Sequence, residues 1–178
     1  WKINDSEPAP KFNIVERPNN WAKAMKKTVG HSETETLRLA FWENFNNEAL
    51  KHSSFMKDFK LRKPQAQHWY DLGMGSSAYH LSMTLNTKSS SLTAGLYVNE
   101  DKDIITKLMA NEEQVAKMLG LSDPKEIEWR LDENKKASRF LVLHPMEDMN
   151  DRNNWNSGCA WLCDMCIRIK QVVKEILK

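Results

Sequence analysis

The spacing of apolar residues changes from about four to two on either side of Pro64, and this switch constrains the fold more than any other feature of the chain. Before it, Leu37, Phe41, Phe45 and Ala49 recur every fourth position behind a Ser32-Glu-Thr-Glu capping box, which predicts an amphipathic helix to about Lys51. After it, Tyr79, Leu81, Met83 and Leu85 alternate with Ala78, His80, Ser82 and Thr84, and Leu92, Ala94, Leu96 and Val98 repeat the pattern. A period of two puts one set of side chains in a core and the other on a polar face, so these are strands. The turn residues of Gly73 to Ser77 and of Asn86 to Ser91 join them, with a first strand over 67–74, into a three-strand antiparallel meander.

The remainder alternates between the two periods. Asp101 opens a helical stretch through Ile104, Ile105, Leu108, Val115 and Leu119 that stops at Gly120. Ile127, Trp129 and Leu131 make a fourth strand, a polar turn over Asp132 to Lys136 leads to a fifth over 137–144, and 157–177 is the last helix. The expected class is α+β: a mostly antiparallel five-stranded sheet, built as a three-strand meander, a helix and a two-strand hairpin, covered by helices. Residues 1–31, with Pro8, Pro10 and Pro18, read as an extended strap or linker plus a short helix from a preceding domain, and 32–178 as a single α+β domain. A chain that starts at Trp1 reads as a piece of a longer protein.

Composition excludes several function classes. The 26 Lys and Arg against 24 Asp and Glu give a net charge of only +2, so an anionic partner requires a local patch. No window approaches the roughly 18 apolar residues of a membrane span, and no secretory leader is visible. The 3 cysteines cannot close a disulfide framework, which points to a reducing, cytoplasmic setting.

Cys159, Cys163 and Cys166 resemble in spacing the cluster motif of radical S-adenosylmethionine enzymes, yet i, i+4, i+7 is equally one buried stripe of a helix. The core reading is preferred, and no metal or other cofactor is expected. The element order distantly resembles a PD-(D/E)XK nuclease core without its catalytic residues: the second and third strands lack the required acids and lysine. With only 6 glycines there is no phosphate loop or dinucleotide fingerprint, and Gly73-Met-Gly-Ser-Ser reads as a hairpin rather than a nucleophile elbow.

Two basic segments mix cations with amide, hydroxyl and aromatic groups, the types that contact phosphates and base edges. Arg62, Lys63, Gln67 and His68 form one; Lys136, Ser138 and Arg139 form the other; His80, at a polar position of the second strand, is expected on an open sheet face beside them. These eight are the candidate nucleic-acid contacts, and no residue is assigned as catalytic.

The strings Arg62-Lys-Pro-Gln-Ala-Gln-His-Trp-Tyr-Asp71, Ser77-Ala-Tyr-His-Leu-Ser-Met-Thr-Leu-Asn86, Leu96-Tyr-Val98 and Lys135-Lys-Ala-Ser-Arg139 resemble a bacterial and archaeal family known as domain of unknown function 4268, over residues 35–177. The resemblance implies a C-terminal accessory module acting beside an N-terminal nuclease-like domain in a prokaryotic DNA restriction or defence protein. Three functions follow. The first is non-catalytic recognition of DNA or RNA, or regulation of the linked domain. The second is docking to that domain or homodimerisation through tryptophans such as Trp21 or Trp155. The third is a cryptic nuclease using Asp71 or Glu100.

Overall fold

Strands form where the period of two runs, and in the second and third strands the polar positions fall on one side. The structure, a computed structural model, describes residues 30–178. The strands are β1 (Trp69–Gly73), β2 (Tyr79–Asn86), β3 (Ser91–Val98), β4 (Ile127–Arg130) and β5 (Ser138–Pro145). They make one antiparallel sheet in the order β1-β2-β3-β5-β4. The meander and the β4–β5 hairpin are as expected. The sequence leaves open which strand of the hairpin joins the meander; it is β5, in a register that sets Val98 opposite Ser138 and Ser91 opposite Pro145. The first strand is shorter than expected: it starts at Trp69, and the Gln67 carbonyl accepts instead from Trp42 Nε1 of the first helix at 2.8 Å.

The helices are α1 (Glu33–Ala49), α2 (Ser53–Asp58), α3 (Lys102–Ala110), α4 (Glu112–Leu119) and α5 (Trp155–Ile176). The single helix expected after Asp101 is two. Its N-terminus is capped by the Asp101 carboxylate, which accepts from the Asp103 N–H at 3.1 Å, but at Asn111 the backbone leaves the helical region (φ −117°, ψ 31°). Asn111 Nδ2 donates to the Lys107 carbonyl, so the amide side chain competes with the backbone and ends α3. Gly120, at φ 75°, closes α4 in the left-handed conformation that glycine adopts without penalty. Helix α2 is too short for any periodicity to announce it. The strap and short helix expected over 1–31 lie, apart from the last two positions, outside the described residues, as does Trp21.

All five helices contribute to a single core with the inner faces of the strands. Phe41, Trp42 and Phe45 of α1 are fully buried and meet Tyr70 of β1 and Trp155 of α5 in edge-on and tilted ring contacts, with centroids 5.2–5.4 Å apart in the contacts to those two residues. Each such ring stabilises the fold by roughly 1.5–3 kcal/mol on burial. Helix α5 lies along β3, and at Gly158 a side chain would come within 2.8 Å of Leu92 Cδ1 and Met146 Sδ, so this glycine lets the helix reach the sheet. The three cysteines occupy that inner face of α5, each 0% exposed. Burial pushes the Cys159 and Cys163 thiols up to about 12 and the Cys166 thiol well above its usual range. They pack as small hydrophobes; Asn44 Nδ2 points at Cys159 Sγ, 3.6 Å away.

Trp155 is not the exposed anchor expected for a docking module. It is 2% exposed, with Nε1 donating to the Met149 carbonyl at 2.8 Å. No helix among the described residues is long and apolar enough to cross a membrane.

Candidate functional site

The outer face of the sheet collects the polar positions of β2 and β3, with Asp71, Glu128, Arg130 and Arg139 from the other strands. Cross-strand register arranges it in rows. One row runs Gly73, His80, Tyr97, Arg139, Arg130; the next runs Asp71, Ser82, Gly95, Leu141, Glu128; a third runs Trp69, Thr84, Thr93, Leu143. In the first row the His80 ring stacks on Tyr97, centroids 4.9 Å apart and planes 26° apart, while His80 Nε2 stands 3.7 Å from Asp71 Oδ2. Thr84 and Thr93 share a side-chain hydrogen bond across the middle of the face. Gly95 occupies the centre of the second row, where a methyl would overlap the Phe140 carbonyl oxygen and come within 2.8 Å of Leu141 Cα. The close approach of β5 there leaves the middle of the face without a side chain on β3.

Arg130 and Arg139 are direct cross-strand partners. Like charges set opposite each other on one sheet face repel. Arg130 is relieved by Glu128, to which its Nε donates at 2.6 Å. Arg139 has no acid partner among the described residues.

A concavity of about 570 Å³ spreads over this face. Its cations are Arg38 from α1, Lys88 from the β2–β3 turn, Arg130 and Arg139, with the His68 ring beside them; its single acid is Glu128. Between them lie the hydroxyls of Thr84, Ser91 and Thr93. Arg38 Nε is buried without a hydrogen-bond partner among the described residues, so one guanidinium donor in this basin lacks an acceptor. A second concavity, about 420 Å³, shares Arg130 and Arg139 with the first and extends past Tyr97 to the β4–β5 hairpin.

The eight candidate contacts are thus divided. His68 and Arg139, from different basic segments, line the same concavity, and His80 stands in the Arg139 row. Ser138 lines the second concavity, but it is 2% exposed and its Oγ has no partner among the described residues. Arg62, Lys63 and Gln67 line a separate cleft of about 30 Å³ beside Asp71, room for water rather than a ligand. The backbone there is structural: Tyr70 Oη accepts from the Arg62 N–H at 2.6 Å, Asn46 Nδ2 donates to the Arg62 carbonyl at 2.9 Å, and Trp42 Nε1 donates to the Gln67 carbonyl at 2.8 Å. Burial beside this network raises the Tyr70 hydroxyl above its ordinary range, against the lowering effect of its hydrogen bonds. Lys136 is 86% exposed on its own shallow surface, 3.5 Å from Glu100.

Reasoning from the sequence passes over Arg38, Lys88, Tyr97 and Arg130. Tyr97 and Arg130 carry a signal that strand alternation supplies, since both fall at polar-face positions; Arg38 and Lys88 become neighbours of Arg139 only through the tertiary fold. Asp71 and Glu100, the acids of the nuclease reading, line different concavities. Among the described residues no group of three or more His, Cys, Asp and Glu is placed to hold a metal ion.

One family model, described as Domain of unknown function (DUF4268), matches residues 37–177. No curated protein and no solved structure matches the chain.

Proposed function

We propose that this chain, which belongs to the DUF4268 family, is a non-catalytic module that binds single-stranded nucleic acid on the outer face of its sheet. The observation that carries the reading is the basin in which Arg38, Lys88, Arg130 and Arg139 surround a floor of hydroxyls, with one acid already held by an arginine. Cations of this kind take phosphates, hydroxyls and amides add hydrogen bonds to the backbone, and the exposed ring of Trp69 and the Tyr97 ring offer stacking surfaces that any base fits. An open antiparallel sheet bearing aromatic and basic residues suits an extended strand better than a duplex, whose phosphates curve away from a shallow face. A module working beside a nuclease-like domain in a prokaryotic restriction or defence protein, as the resemblance implies, would use such a face to hold a strand without cutting it.

Protein docking is the second reading. Leu143 is 55% exposed and Trp69 is 40% exposed at the two ends of the row that Thr84 and Thr93 fill, two apolar contacts that a partner protein or a second copy could cover.

Fluorescence anisotropy of labelled single-stranded DNA, duplex DNA and RNA with the full chain separates the two. If all four cations engage phosphates, affinity falls about fifty-fold between about 50 and 200 mM salt, from a slope of about 0.7 per neutralised phosphate. Arg38→Glu and Arg139→Glu abolish this binding, while Leu143→Ser leaves it within about twofold. Absence of binding at both salts overturns the reading in favour of docking.

A further inference from the structure

We infer that the free edge of β4 pairs antiparallel with β4 of a second copy of this chain, so that two sheets become one about a twofold axis at Trp129. The inference stands apart from the nucleic-acid reading. Among the described residues β4 is the last strand on its side of the sheet. Its side chains alternate in kind as well as in face. Glu128 and Arg130, 51% and 48% exposed, carry opposite charges on the outer side, while Ile127, the half-buried Trp129 and the 41% exposed Leu131 are apolar.

The phase of the ladder fixes which backbone groups β4 turns outward, because antiparallel pairing alternates hydrogen-bonded and non-bonded residue pairs. The Asn99 N–H donates to the Ala78 carbonyl at 2.9 Å and the Met146 N–H to the Ser90 carbonyl at 2.7 Å. Odd-numbered residues of β3 therefore bond to β2, and even-numbered residues of β5 bond to β3. Pro145, with no N–H to give, falls at a non-bonded position as that phase requires. Arg139 and Leu141 in turn bond Arg130 and Glu128, so the backbone of Ile127, Trp129 and Leu131 faces away from the sheet. The Ile127 N–H is held by the Pro124 carbonyl. The Ile127 carbonyl, both Trp129 groups and the Leu131 N–H have no hydrogen-bond partner among the described residues. Such an edge is a template for another strand.

Charge selects the strand and its register. Setting Trp129 opposite Ile127 of a second β4 places Glu128 opposite Glu128, and setting it opposite Leu131 places Arg130 opposite Arg130. Like charges directly opposed destabilise a pair. Setting Trp129 opposite Trp129 places each Glu128 opposite Arg130 of the second copy, with the outward groups of both strands in phase. The Trp129 N–H groups then donate to each other's carbonyls, and each Leu131 N–H donates to an Ile127 carbonyl. The engaged Ile127 N–H is not called on. Leu131 covers Ile127 on the inner side, where the two Trp129 rings meet across the axis. On the outer side the row Tyr97, Arg139, Arg130 runs on into Glu128 of the second copy, which brings a carboxylate to the open end of two facing arginines. A partner edge needs an acid and a cation in the reverse order around a large apolar residue, and β4 itself has them.

The test is sedimentation equilibrium of the full chain without nucleic acid, from about 5 to 500 μM, the range of weak contacts. The mass should rise from 20.7 kDa toward twice that value. Glu128→Arg and Arg130→Glu each oppose like charges in the self-pair and should weaken association at least about tenfold. An equimolar mixture of these two variants opposes unlike charges at both positions, and should associate within about threefold of the parent. Leu131→Pro removes an outward donor that the β4–β5 ladder does not use, and should weaken association while the far-ultraviolet circular dichroism stays unchanged. A monomer at every concentration overturns the inference. So does a dimer that neither charge variant weakens, or a mixture that fails to restore what the single variants lose. A dimer lost in Leu143→Ser but kept in both charge variants assigns self-association to the outer face instead, and overturns the edge pairing.

Discussion

Arg130 and Arg139 face each other across the β4–β5 ladder, and among the described residues only Arg130 of the two has a carboxylate beside it. A stability-driven sequence would place an opposite charge or a β-branched residue at one of these positions. Removing the repulsion should therefore strengthen the fold while weakening the site. Arg139→Met is expected to raise the urea midpoint by a gain of about 0.2–1 kcal/mol with an unchanged slope, alongside a loss of oligonucleotide binding. A loss of stability would mean that Arg139 is tied down by packing rather than held for a ligand.

Gly95 should be intolerant of even one added carbon. A methyl there overlaps the Phe140 carbonyl oxygen, a backbone atom that cannot swing aside. Gly95→Ala is expected to cost about 1–3 kcal/mol or more, read from equilibrium unfolding, and to flatten the basin by pushing β5 from β3. At Gly73, where nothing lies within 4 Å of an added Cβ, the same change should cost less than half as much.

The thiols predict alkaline behaviour. Burial keeps Cys159 and Cys163 protonated up to about 12, whereas in the unfolded chain they ionise near 9.0. A folded-state value raised in this way gives stability that is complete below pH 9 and is lost as pH rises toward 12. Urea midpoints should fall steadily over that window, and Cys159→Ala should reduce the slope relative to the parent. Thiol reagents at neutral pH should label the protein only at the rate at which it opens, since a buried neutral thiol is inert.

His144 works at the other end of the scale. Its ring stacks on Trp161, 4.6 Å between centroids and 15° between planes, and burial lowers its basicity below the ordinary value of 6.5. The unfolded chain takes up a proton near 6.5 that the folded protein resists, so stability present above that pH is lost as pH falls through the depressed value. His144→Phe keeps the stack and should remove this part of the acid slope in thermal melts between about pH 7 and 5.

Local patterns carried most of the fold because each reports a face buried against something. The four-residue spacing of Leu37, Phe41, Phe45 and Ala49 and the alternation of Leu81, Met83 and Leu85 needed only one core to exist. The insertion of β5 between β3 and β4 left no such trace: Ser138 meets Val98 and Arg139 meets Tyr97 by pairing between distant segments, and no local spacing encodes that. The break at Asn111 was hidden because α3 and α4 present their apolar residues to the same core. The site divided along the same line. His80 and Arg139 could be placed on the polar face by counting along their strands. Arg62 and Lys63 drew notice by density of charge, which says nothing about backbone groups already engaged by Tyr70 and Asn46.

The strand order also sets a schedule for the chain. β1, β2 and β3 join through short turns, so the meander closes small loops and can assemble within microseconds to milliseconds. β3 waits for its second neighbour until the chain from Asn99 to Ala137, with α3, α4 and β4, has been ordered or carried along. Until β5 docks, the backbone groups on that side of β3 are an unpaired edge in the middle of the future sheet, next to the apolar run Leu92, Ala94, Leu96, Val98. Conditions that slow the arrival of β5 should thus turn a folding chain into an aggregating one well before they destabilise the finished protein.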